Sequence, residues 1–309
     1  MCFCAGWLPT LRPSRRDRRQ PDQSFSAMQI SGTTRVFMVL GDPVSQVQAP
    51  RLFNPLFERH GIDAVLVPAQ VRREDAPGFC RAVLSAGNID GLWLTIPHKP
   101  LVLPLLERWD RHAELAQAVN AVRRNADGSL EGALFDGRGF TGALRHFGFE
   151  PRGRRALLVG SGGAGAAIAA ALLDEGLEVL ALNDLGDRAA QLAQLLARNA
   201  AGTRVVAAGN DPAGFDLVIN ASPLGLRADD ALPFDVARLE PHATVVDILM
   251  KPQGTPLLRA CTARGIRAFP GFEMLVQQVP DYLDFFGLAD AASAVRSDLS
   301  SVRALVGTL

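Results

Sequence analysis

The chain has 309 residues, and because single cores stop growing at roughly 250 to 300 residues, this length predicts two domains. Hydrophobic residues make up 48% and charged residues 21%, a globular composition that excludes disorder over the whole chain. Lysine plus arginine equals aspartate plus glutamate at 32 each, so no overall field would gather nucleic acid or an anionic membrane. We therefore expect a small-molecule substrate as the partner, with no nucleic acid and no membrane.

The cysteines are scattered along the chain, at Cys2, Cys4, Cys80 and Cys261. They show no Cys-x-x-Cys or Cys/His spacing, which argues against a disulfide framework and against a structural zinc site. No stretch approaches the roughly 18 apolar residues that a membrane-spanning helix needs. We expect no metal and a reducing, cytoplasmic location.

Residues 1–27 differ in composition, with arginines among Pro, Ser and Gln and no apolar run after them. We expect a disordered tail, because the apolar region of a secretory signal is missing. Two alternatives stay open. The start is over-long, with Met28 as the true initiator, or the segment is a transit peptide or a nucleic-acid-binding arm.

The first half alternates predicted strands and helices. Short apolar runs predict strands at 36–41, 64–71 and 90–96, and helical patterns follow at 50–60, 73–87 and 101–119. A short hairpin around Asp127 and Gly128 leads to Asp136. This alternation predicts a mostly parallel sheet.

A second α/β series begins at Arg155. Strands are predicted at 156–160, 177–184, 203–209, 216–222 and 244–250, and helices at 164–176 and 187–199. This order predicts a Rossmann-like, doubly wound NAD(P) domain. After Gly271 the pattern is helical, and we expect these helices to return to the first domain, whose sheet otherwise lacks cover on one face. The fold class is thus α/β with two α/β domains: a substrate and catalytic domain at 28–137 plus 271–309, and a dinucleotide-binding domain at 138–270.

A glycine-rich loop follows the first strand of the second series and opens an alanine-rich helix. Its predicted cofactor-binding residues are Gly160, Ser161, Gly162, Gly163, Ala164 and Gly165. The glycines allow a tight turn, close approach of a pyrophosphate and close helix packing, while the helix N-terminus favours the phosphates. The alternative is a glycine-rich turn without a ligand.

Asn183 and Asp184 end the next strand, and Asp184 lies 19 residues after Gly165. An acidic side chain there would accept hydrogen bonds from ribose hydroxyls and repel a 2′-phosphate, so we prefer NAD over NADP. Arg188 lies one helical turn further on. The alternative is that Asp184 caps a helix.

Three polar residues of the first half lie at strand ends or turns: Lys99, Asn120 and Asp136. Ligands bind at such positions in open α/β folds. A lysine beside an aspartate and a cofactor can act as acid and base on an alcohol, with the aspartate orienting the hydroxyl. Taken singly, each also fits an ordinary surface lysine, turn asparagine or turn aspartate.

The order of motifs from Val36 to Leu288 resembles the shikimate/quinate dehydrogenase family. The motifs are GDPVSQVQAP (41–50), LTIPHK (94–99), AVN (118–120), FDGRG (135–139), GSGGAG (160–165), NASPLG (220–225), DILMKP (247–252) with TPLL (255–258), and GFEMLVQQ (271–278).

The resemblance implies reversible hydride transfer between a nicotinamide and a ring hydroxyl or ketone of shikimate, quinate or a related cyclic polyol acid. It implies that Lys99 and Asp136 form the catalytic pair, and that Thr95, Asn120 and Gln278 hold substrate hydroxyl groups. Cofactor residues implied near the nicotinamide are Asn220, Ser222 and Gly271. We expect a monomer or a homodimer.

The chain departs from the family pattern where the substrate carboxylate is held. The serines of the family are replaced by Val47 and Ala49, an asparagine by Trp93, a tyrosine by Met250, and an Asn and a Thr by Leu134 and Phe135. Since a carboxylate without donors is penalised in a dry site, shikimate is expected to bind poorly unless Gln46, Gln48 or a backbone N–H replaces the serines. We expect a related or larger polyol as substrate.

Two other functions are open to the same residues. The first is a weakly catalytic or non-catalytic dinucleotide-binding regulator of the same fold, against which the retained Lys99 and Asp136 argue. The second is an ordinary pathway enzyme with a remodelled pocket. His98 could tune the charge of Lys99, and the remaining histidines form no cluster.

Overall fold

The computed structural model describes residues 29–227, 229–251 and 253–307, so the predicted tail at 1–27 lies outside the described residues. The described chain forms two α/β halves, each built on a six-stranded sheet. This architecture confirms the predicted fold class.

The first sheet has the strand order β2-β1-β3-β5-β6-β4. Its strands are β1 (Arg35–Gly41), β2 (Ala64–Gln70), β3 (Ile89–Leu94), β4 (Arg108–Trp109), β5 (Ala121–Arg124) and β6 (Leu130–Ala133). β1 pairs in parallel with β2 and β3, and β4 pairs in parallel with β6. The predicted hairpin makes β5 antiparallel to β6 and to β3, so the sheet is mostly but not wholly parallel.

The helices of this half are α1 (Ala49–Arg59), α2 (Ala76–Val83), α3 (Lys99–Val102), α4 (Arg111–Ala116) and α5 (Asp136–His146). The predicted helix at 101–119 is wrong, because the segment divides into α3, a 3₁₀ turn at Leu103–Leu105, β4 and α4. Pro104 lacks an N–H and disfavours helix in the residue before it. The Asp110 carboxylate then begins α4 by accepting the Ala113 N–H at 2.7 Å.

The second sheet is parallel throughout, in the order β12-β11-β10-β7-β8-β9. Its strands are β7 (Arg155–Val159), β8 (Val179–Asn183), β9 (Arg204–Ala207), β10 (Leu217–Asn220), β11 (Thr244–Asp247) and β12 (Arg267–Pro270). From the β9 edge this is the 3-2-1-4-5-6 order of doubly wound dinucleotide-binding sheets. The sequence analysis missed β12, a short edge strand that contains an arginine and a proline and so lacks an apolar run.

The helices of the second half are α6 (Gly163–Asp174), α7 (Arg188–Ala197) and α8 (Pro256–Ala263), with a 3₁₀ turn at Val236–Arg238. The chain then continues through α9 (Phe272–Phe285), α10 (Ala289–Ser297) and α11 (Ser300–Val306). These last helices share a buried core with the first sheet, where Val279 and Leu283 of α9 join Phe37 and Trp93. The predicted return of the C-terminal helices to the first half is confirmed.

Helix α5 lies between α6 and α9 and joins the two halves. A Cβ atom added at Gly137 would lie 2.2 Å from the Ala167 carbonyl oxygen on α6, and one at Gly139 would lie 2.3 Å from the Met274 carbonyl oxygen on α9. Side chains in these positions would separate the helices, so the two glycines permit a backbone contact on both sides of α5. Phe140 of the same helix belongs to the core of the second half.

This packing predicts that Gly137→Ala destabilises the protein. The new methyl group meets backbone atoms, which cannot rotate away, and we expect the free energy of unfolding to fall by about 1–3 kcal/mol. The matched control is Gly78→Ala on α2, where an added Cβ meets no atom within 4 Å. That change should raise the free energy of unfolding by about 0.5–1 kcal/mol. Urea unfolding measures both, and a G137A protein with the wild-type midpoint would contradict the close packing.

Candidate active site

Two short turns at the ends of β3 and β6 bring Lys99 and Asp136 together. Lys99 begins α3 and Asp136 begins α5. Their side chains form an ion pair between Nζ and Oδ2, with only 13% and 10% of the side-chain surfaces exposed. The two residues that the sequence analysis predicted as a catalytic pair are therefore in direct contact.

Backbone hydrogen bonds fix the turn that carries Lys99. The Thr95 N–H donates to the Leu40 carbonyl at 2.9 Å, and the His98 N–H donates to the Thr95 carbonyl at 2.8 Å. The Lys99 carbonyl accepts the Val119 N–H at 3.0 Å. Thr95 is half-buried at this turn, and His98 is fully buried. The lysine backbone is thus tied both to the end of β1 and to the segment before Asn120.

Asn120 connects this turn to α5 and α9. Its Oδ1 accepts the N–H of Phe135 at 3.0 Å, which fixes the residue directly before Asp136. Its Nδ2 lies 3.5 Å from Gln278 Oε1, and Gln278 Nε2 donates to the Met274 carbonyl at 3.3 Å. Both amides are buried. The structure therefore groups Asn120 and Gln278, as the sequence analysis predicted, although they are far apart in the chain.

Tyr282 is a member of this group that the sequence analysis missed. It lies one helical turn after Gln278 on α9, and its hydroxyl donates to the Asn120 carbonyl at 3.4 Å. Burial, with the charge of Asp136 as the second cause, raises the pKa of Tyr282 well above its ordinary value. The phenol therefore stays neutral, and its spacing of four from Gln278 was the signal that could have identified it.

An apolar wall stands beside these polar residues. Trp93 is buried and stacks on Tyr282 with ring centroids 5.2 Å apart, and Val47 and Ala49 pack against the same core. Leu134 and Phe135 are also buried. Met250 lies instead on the loop after β11, with 43% of its surface exposed.

Each glutamine amide near Val47 already uses one of its two N–H donors. Gln46 Nε2 donates to the Pro43 carbonyl at 3.0 Å, and Gln48 Nε2 donates to the Gln46 carbonyl at 3.2 Å. Gln48 Oε1 is buried without a hydrogen-bond partner among the described residues, so it offers an acceptor rather than a donor. Each amide therefore has one N–H left that could replace a serine of the family pattern, and Gln48 also places this acceptor there.

The glycine loop follows β7. Gly160 has φ +102°, and a Cβ there would lie 2.6 Å from the backbone of Ala221 and Ser222. A Cβ at Gly165 would lie 1.9 Å from the Gly160 carbonyl oxygen, whereas nothing lies within 4 Å of one at Gly162. The loop is therefore closed on its protein side and open at Gly162.

The open side of the loop suits an anionic pyrophosphate. Gly163 and Ala164 form the first turn of the twelve-residue helix α6, whose first N–H groups have no partners within the helix. Ser161 Oγ is buried without a partner among the described residues. Because the Lys99 side chain lies 3.8 Å from a Cβ added at Gly163, this cradle adjoins the ion pair.

Asp184 lies against the glycine loop. Its carboxylate accepts the Ser161 N–H and the Leu185 N–H, both at 2.6 Å. The alternative that Asp184 caps a helix is wrong, because Asp187 is the residue that precedes α7. The neighbouring Asn183 accepts the Gly160 N–H at 2.8 Å through its carbonyl, and its side chain donates to the Ala208 carbonyl.

Asn220, at the end of β10, is fully buried and orders the loop that follows it. Its Oδ1 accepts the N–H of Ser222 at 3.1 Å and the Ser222 hydroxyl at 2.6 Å. Its Nδ2 donates to Asp247 Oδ1 at 3.0 Å. Burial raises the pKa of Asp247, which the sequence analysis did not single out. Gly271, which precedes α9, packs on the backbone of Ile248 just after Asp247.

Two features are absent from the part of the chain that the structure describes. Among these residues no group of three or more His, Cys, Asp and Glu side chains could hold a metal ion. No described helix combines the length and the apolar character that a membrane span requires.

The chain is similar to known proteins over most of its length. Residues 39–122 match the family described as the shikimate dehydrogenase substrate binding domain. A relative from Rubrobacter xylanophilus named shikimate dehydrogenase (NADP(+)) is 39% identical, over 82% of this chain and 91% of its own. A relative of the same name from Acidiphilium cryptum is 37% identical, over 88% and 99%.

A solved structure is similar in fold as well as in sequence. The quinate dehydrogenase from Corynebacterium glutamicum, determined in complex with NAD, has a TM-score of 0.77 and 28% identity. The similarity covers 89% of this chain and 99% of that one. With identities above 30% over more than four fifths of its length, the chain belongs to the shikimate dehydrogenase family.

Proposed function

We propose that this protein is a nicotinamide-dependent dehydrogenase that interconverts a ring hydroxyl and a ketone on shikimate, quinate or a related cyclic polyol. The observation that carries this proposal is the buried Lys99–Asp136 ion pair beside the glycine loop. The names of the relatives, shikimate dehydrogenase (NADP(+)) and quinate dehydrogenase, support the same reaction class.

The ion pair accepts and returns the proton of the substrate hydroxyl. In the oxidation direction the substrate hydroxyl loses a proton and the ring carbon loses a hydride. A bound nicotinamide supplies the hydride acceptor. The hydroxyl proton passes to the pair, where Lys99 Nζ and Asp136 Oδ2 share it, and it returns to the oxygen on reduction. Because the pair is largely shielded from water, its interaction with charge that develops on the oxygen is strengthened.

The other polar residues orient the substrate. Asn120 and Gln278 are buried amides that can each donate and accept, and the Thr95 hydroxyl can do both. We assign these three side chains to hydroxyl groups of the substrate. The hydrogen bond from Phe135 N–H to Asn120 couples the amide that holds the substrate to the segment that carries Asp136.

The Lys99–Asp136 pair is tested by replacement of the lysine. Lys99→Met should lower kcat by a factor on the order of 10²–10⁴, because it removes the proton-transfer group, while nicotinamide binding stays near the wild-type value. Arg108→Ala, which breaks an exposed ion pair with Asp127, is the control and should leave kcat unchanged. Turnover is followed by nicotinamide absorbance with shikimate, quinate and related cyclitols.

Two results would count against the proposal. A Lys99→Met enzyme with wild-type kcat would remove the pair from the chemistry. A wild-type protein that binds a nicotinamide dinucleotide but oxidises none of these ring alcohols would favour the alternative function, a non-catalytic dinucleotide-binding regulator of the same fold.

We further propose NAD as the preferred dinucleotide. Asp184 directly follows β8 beside the glycine loop. Its carboxylate would accept hydrogen bonds from ribose hydroxyls there and repel a 2′-phosphate. The quinate dehydrogenase solved with NAD supports this choice, and the NADP(+) in the names of the curated relatives supports the other.

The cofactor preference is tested by kcat/KM for NAD and for NADP. We expect the wild type to favour NAD by about tenfold or more, the equivalent of roughly 1.4 kcal/mol of repulsion. Asp184→Ser should narrow this ratio, whereas Asp187→Ser, the matched control three residues on, should change it little. A wild-type preference for NADP would overturn the assignment.

The apolar wall, which includes Val47 and Ala49, favours weak binding of substrates that carry a carboxylate, such as shikimate. A substrate carboxylate next to Val47 and Ala49 would meet methyl groups rather than hydrogen-bond donors. A buried carboxylate without donors costs several kcal/mol. We therefore propose that the substrate is a polyol related to shikimate, or larger than shikimate, rather than shikimate itself.

The uncharged methyl ester of shikimate tests this idea against the acid. The wild type should favour the ester in kcat/KM by about tenfold or more. A double Val47→Ser, Ala49→Ser enzyme restores two hydroxyl donors. It should raise kcat/KM for the acid and leave kcat/KM for the ester unchanged. A micromolar KM of the wild type for shikimate would show that the acid is bound well and that the pocket is merely remodelled.

We also propose a cytoplasmic enzyme, which the free thiols of the buried Cys80 and Cys261 support. Whether it is a monomer or a homodimer stays a prediction.

A further inference from the structure

The loop at 221–225 lies at the point of the second sheet where dinucleotides bind in doubly wound folds. It follows β10, which pairs with β7, and the strand order reverses between these two strands. Its backbone at Ala221 and Ser222 lies 2.6 Å from a Cβ added at Gly160. The 221–225 loop therefore adjoins the glycine loop that would hold the dinucleotide, and a shift of one displaces the other.

Asn220 determines the shape of that loop. Its Oδ1 accepts the N–H and the hydroxyl of Ser222, and its Nδ2 donates to the Leu224 carbonyl at 3.1 Å. All of these bonds depend on the orientation of one side-chain amide. If the amide turned by 180°, its NH₂ group would face the Ser222 N–H, and two donors would oppose each other.

Asp247 fixes the orientation of this amide. The two residues are direct partners across the parallel strands β10 and β11, and Asn220 Nδ2 donates to Asp247 Oδ1 at 3.0 Å. An ionised carboxylate accepts hydrogen bonds but cannot donate them. Asp247 therefore holds the NH₂ group on its own side and leaves Asn220 Oδ1 pointing towards Ser222.

The carboxylate of Asp247 is itself held by two other donors. Thr255, the residue before α8, donates its hydroxyl to Oδ2 at 2.6 Å, and the Leu249 N–H donates to Oδ1 at 3.2 Å. Asp247 and Thr255 are both fully buried. A buried carboxylate is costly unless donors satisfy it, so these contacts keep an acceptor in place beneath the loop.

We propose that Asp247, supported by Thr255, is a positioning residue for dinucleotide binding. It touches no reacting atom and acts through Asn220, whose fixed amide holds the backbone of 221–225 against the glycine loop. This inference rests on the dinucleotide binding of the proposed function, and it adds residues that the glycine-loop motif does not include.

Two replacements of Asp247 distinguish a role in positioning the dinucleotide-binding loop from a role in folding. Asp247→Ala removes one of the two acceptors of the Asn220 NH₂ group and leaves only the Leu224 carbonyl to hold it. The amide and its loop are then less firmly fixed, and we expect the dissociation constant for NADH, measured by nicotinamide fluorescence, to rise about tenfold. Asp247→Asn is the rescue variant, because its Oδ1 can still accept from Asn220 and Leu249 while its NH₂ donates to the Thr255 hydroxyl. It should bind NADH within about threefold of the wild type.

Two threonine variants provide a second test in case the Asp247→Ala protein does not fold. Thr255→Val removes the donor to Asp247 Oδ2. Thr203→Val is the matched control, since the buried Thr203 donates to the Leu177 carbonyl at 2.8 Å just before β9, at the opposite edge of the sheet. Both variants should lose thermal stability, but only Thr255→Val should weaken NADH binding, by severalfold.

The outcomes are distinguishable. Asp247→Ala with the dissociation constant of the wild type would overturn the inference, as would equal NADH affinities of Thr255→Val and Thr203→Val. A wild-type protein that binds neither NADH nor NADPH would overturn the proposed function first, and this inference with it.

Discussion

The backbone contacts of helix α5 with α6 and α9 set the geometry of the whole site. Gly137 lets α5 approach α6, whose first turn carries the cofactor cradle, and Gly139 lets it approach α9, which carries Gln278. Asp136 is the first residue of α5, so its carboxylate is placed relative to both helices at once. Interiors packed at this density transmit small displacements, and a side chain at Gly137 would move the acid, the cradle and the substrate amides relative to one another.

Buried polar side chains fix the orientation of the segments that this packing brings together. On the substrate side, Asn120 accepts from Phe135 and lies beside Gln278; on the cofactor side, Asn220 lies between Asp247 and Ser222. In both places a buried amide at or next to the end of a strand orders a functional segment, the residue before Asp136 in the first half and the loop after β10 in the second. An unsatisfied buried donor or acceptor costs about 1–3 kcal/mol, so each amide strongly prefers one orientation. Apolar packing alone would not select that orientation, since it is indifferent to the exchange of oxygen and NH₂.

Features that depend on neighbouring residues were accessible from the sequence, and those that depend on strand pairing were not. The glycine loop and most strands were predicted because an apolar run, a glycine turn and a helix are local signals. Lys99 and Asp136 are 37 positions apart; their places at strand ends suggested that they lie together, and the family resemblance implied that they form the catalytic pair. Asp247 was missed because its role exists only once β10 and β11 pair in the register that places it beside Asn220. The break of the helix predicted at 101–119 did have a local cause, since Pro104 and the Asp110 cap lie within it, but the helical pattern of apolar residues before and after them masked both.

The departure from the family pattern at Trp93 is part of the packing as well as of the substrate wall. Its indole stacks on Tyr282 and lies edge-on to Phe53, and the Tyr282 hydroxyl donates to the Asn120 carbonyl. Exchange of Trp93 for the smaller asparagine would leave a cavity beside Tyr282 and loosen the residue that contacts Asn120, as large-to-small changes in a core do. Val47 and Ala49 pack against the same aromatic core. The members of the apolar wall therefore differ in role: Trp93 holds the residue that contacts Asn120, so its exchange would disturb the substrate amides, whereas serines at Val47 and Ala49 would add hydroxyl donors and leave the Trp93–Tyr282 stack in place.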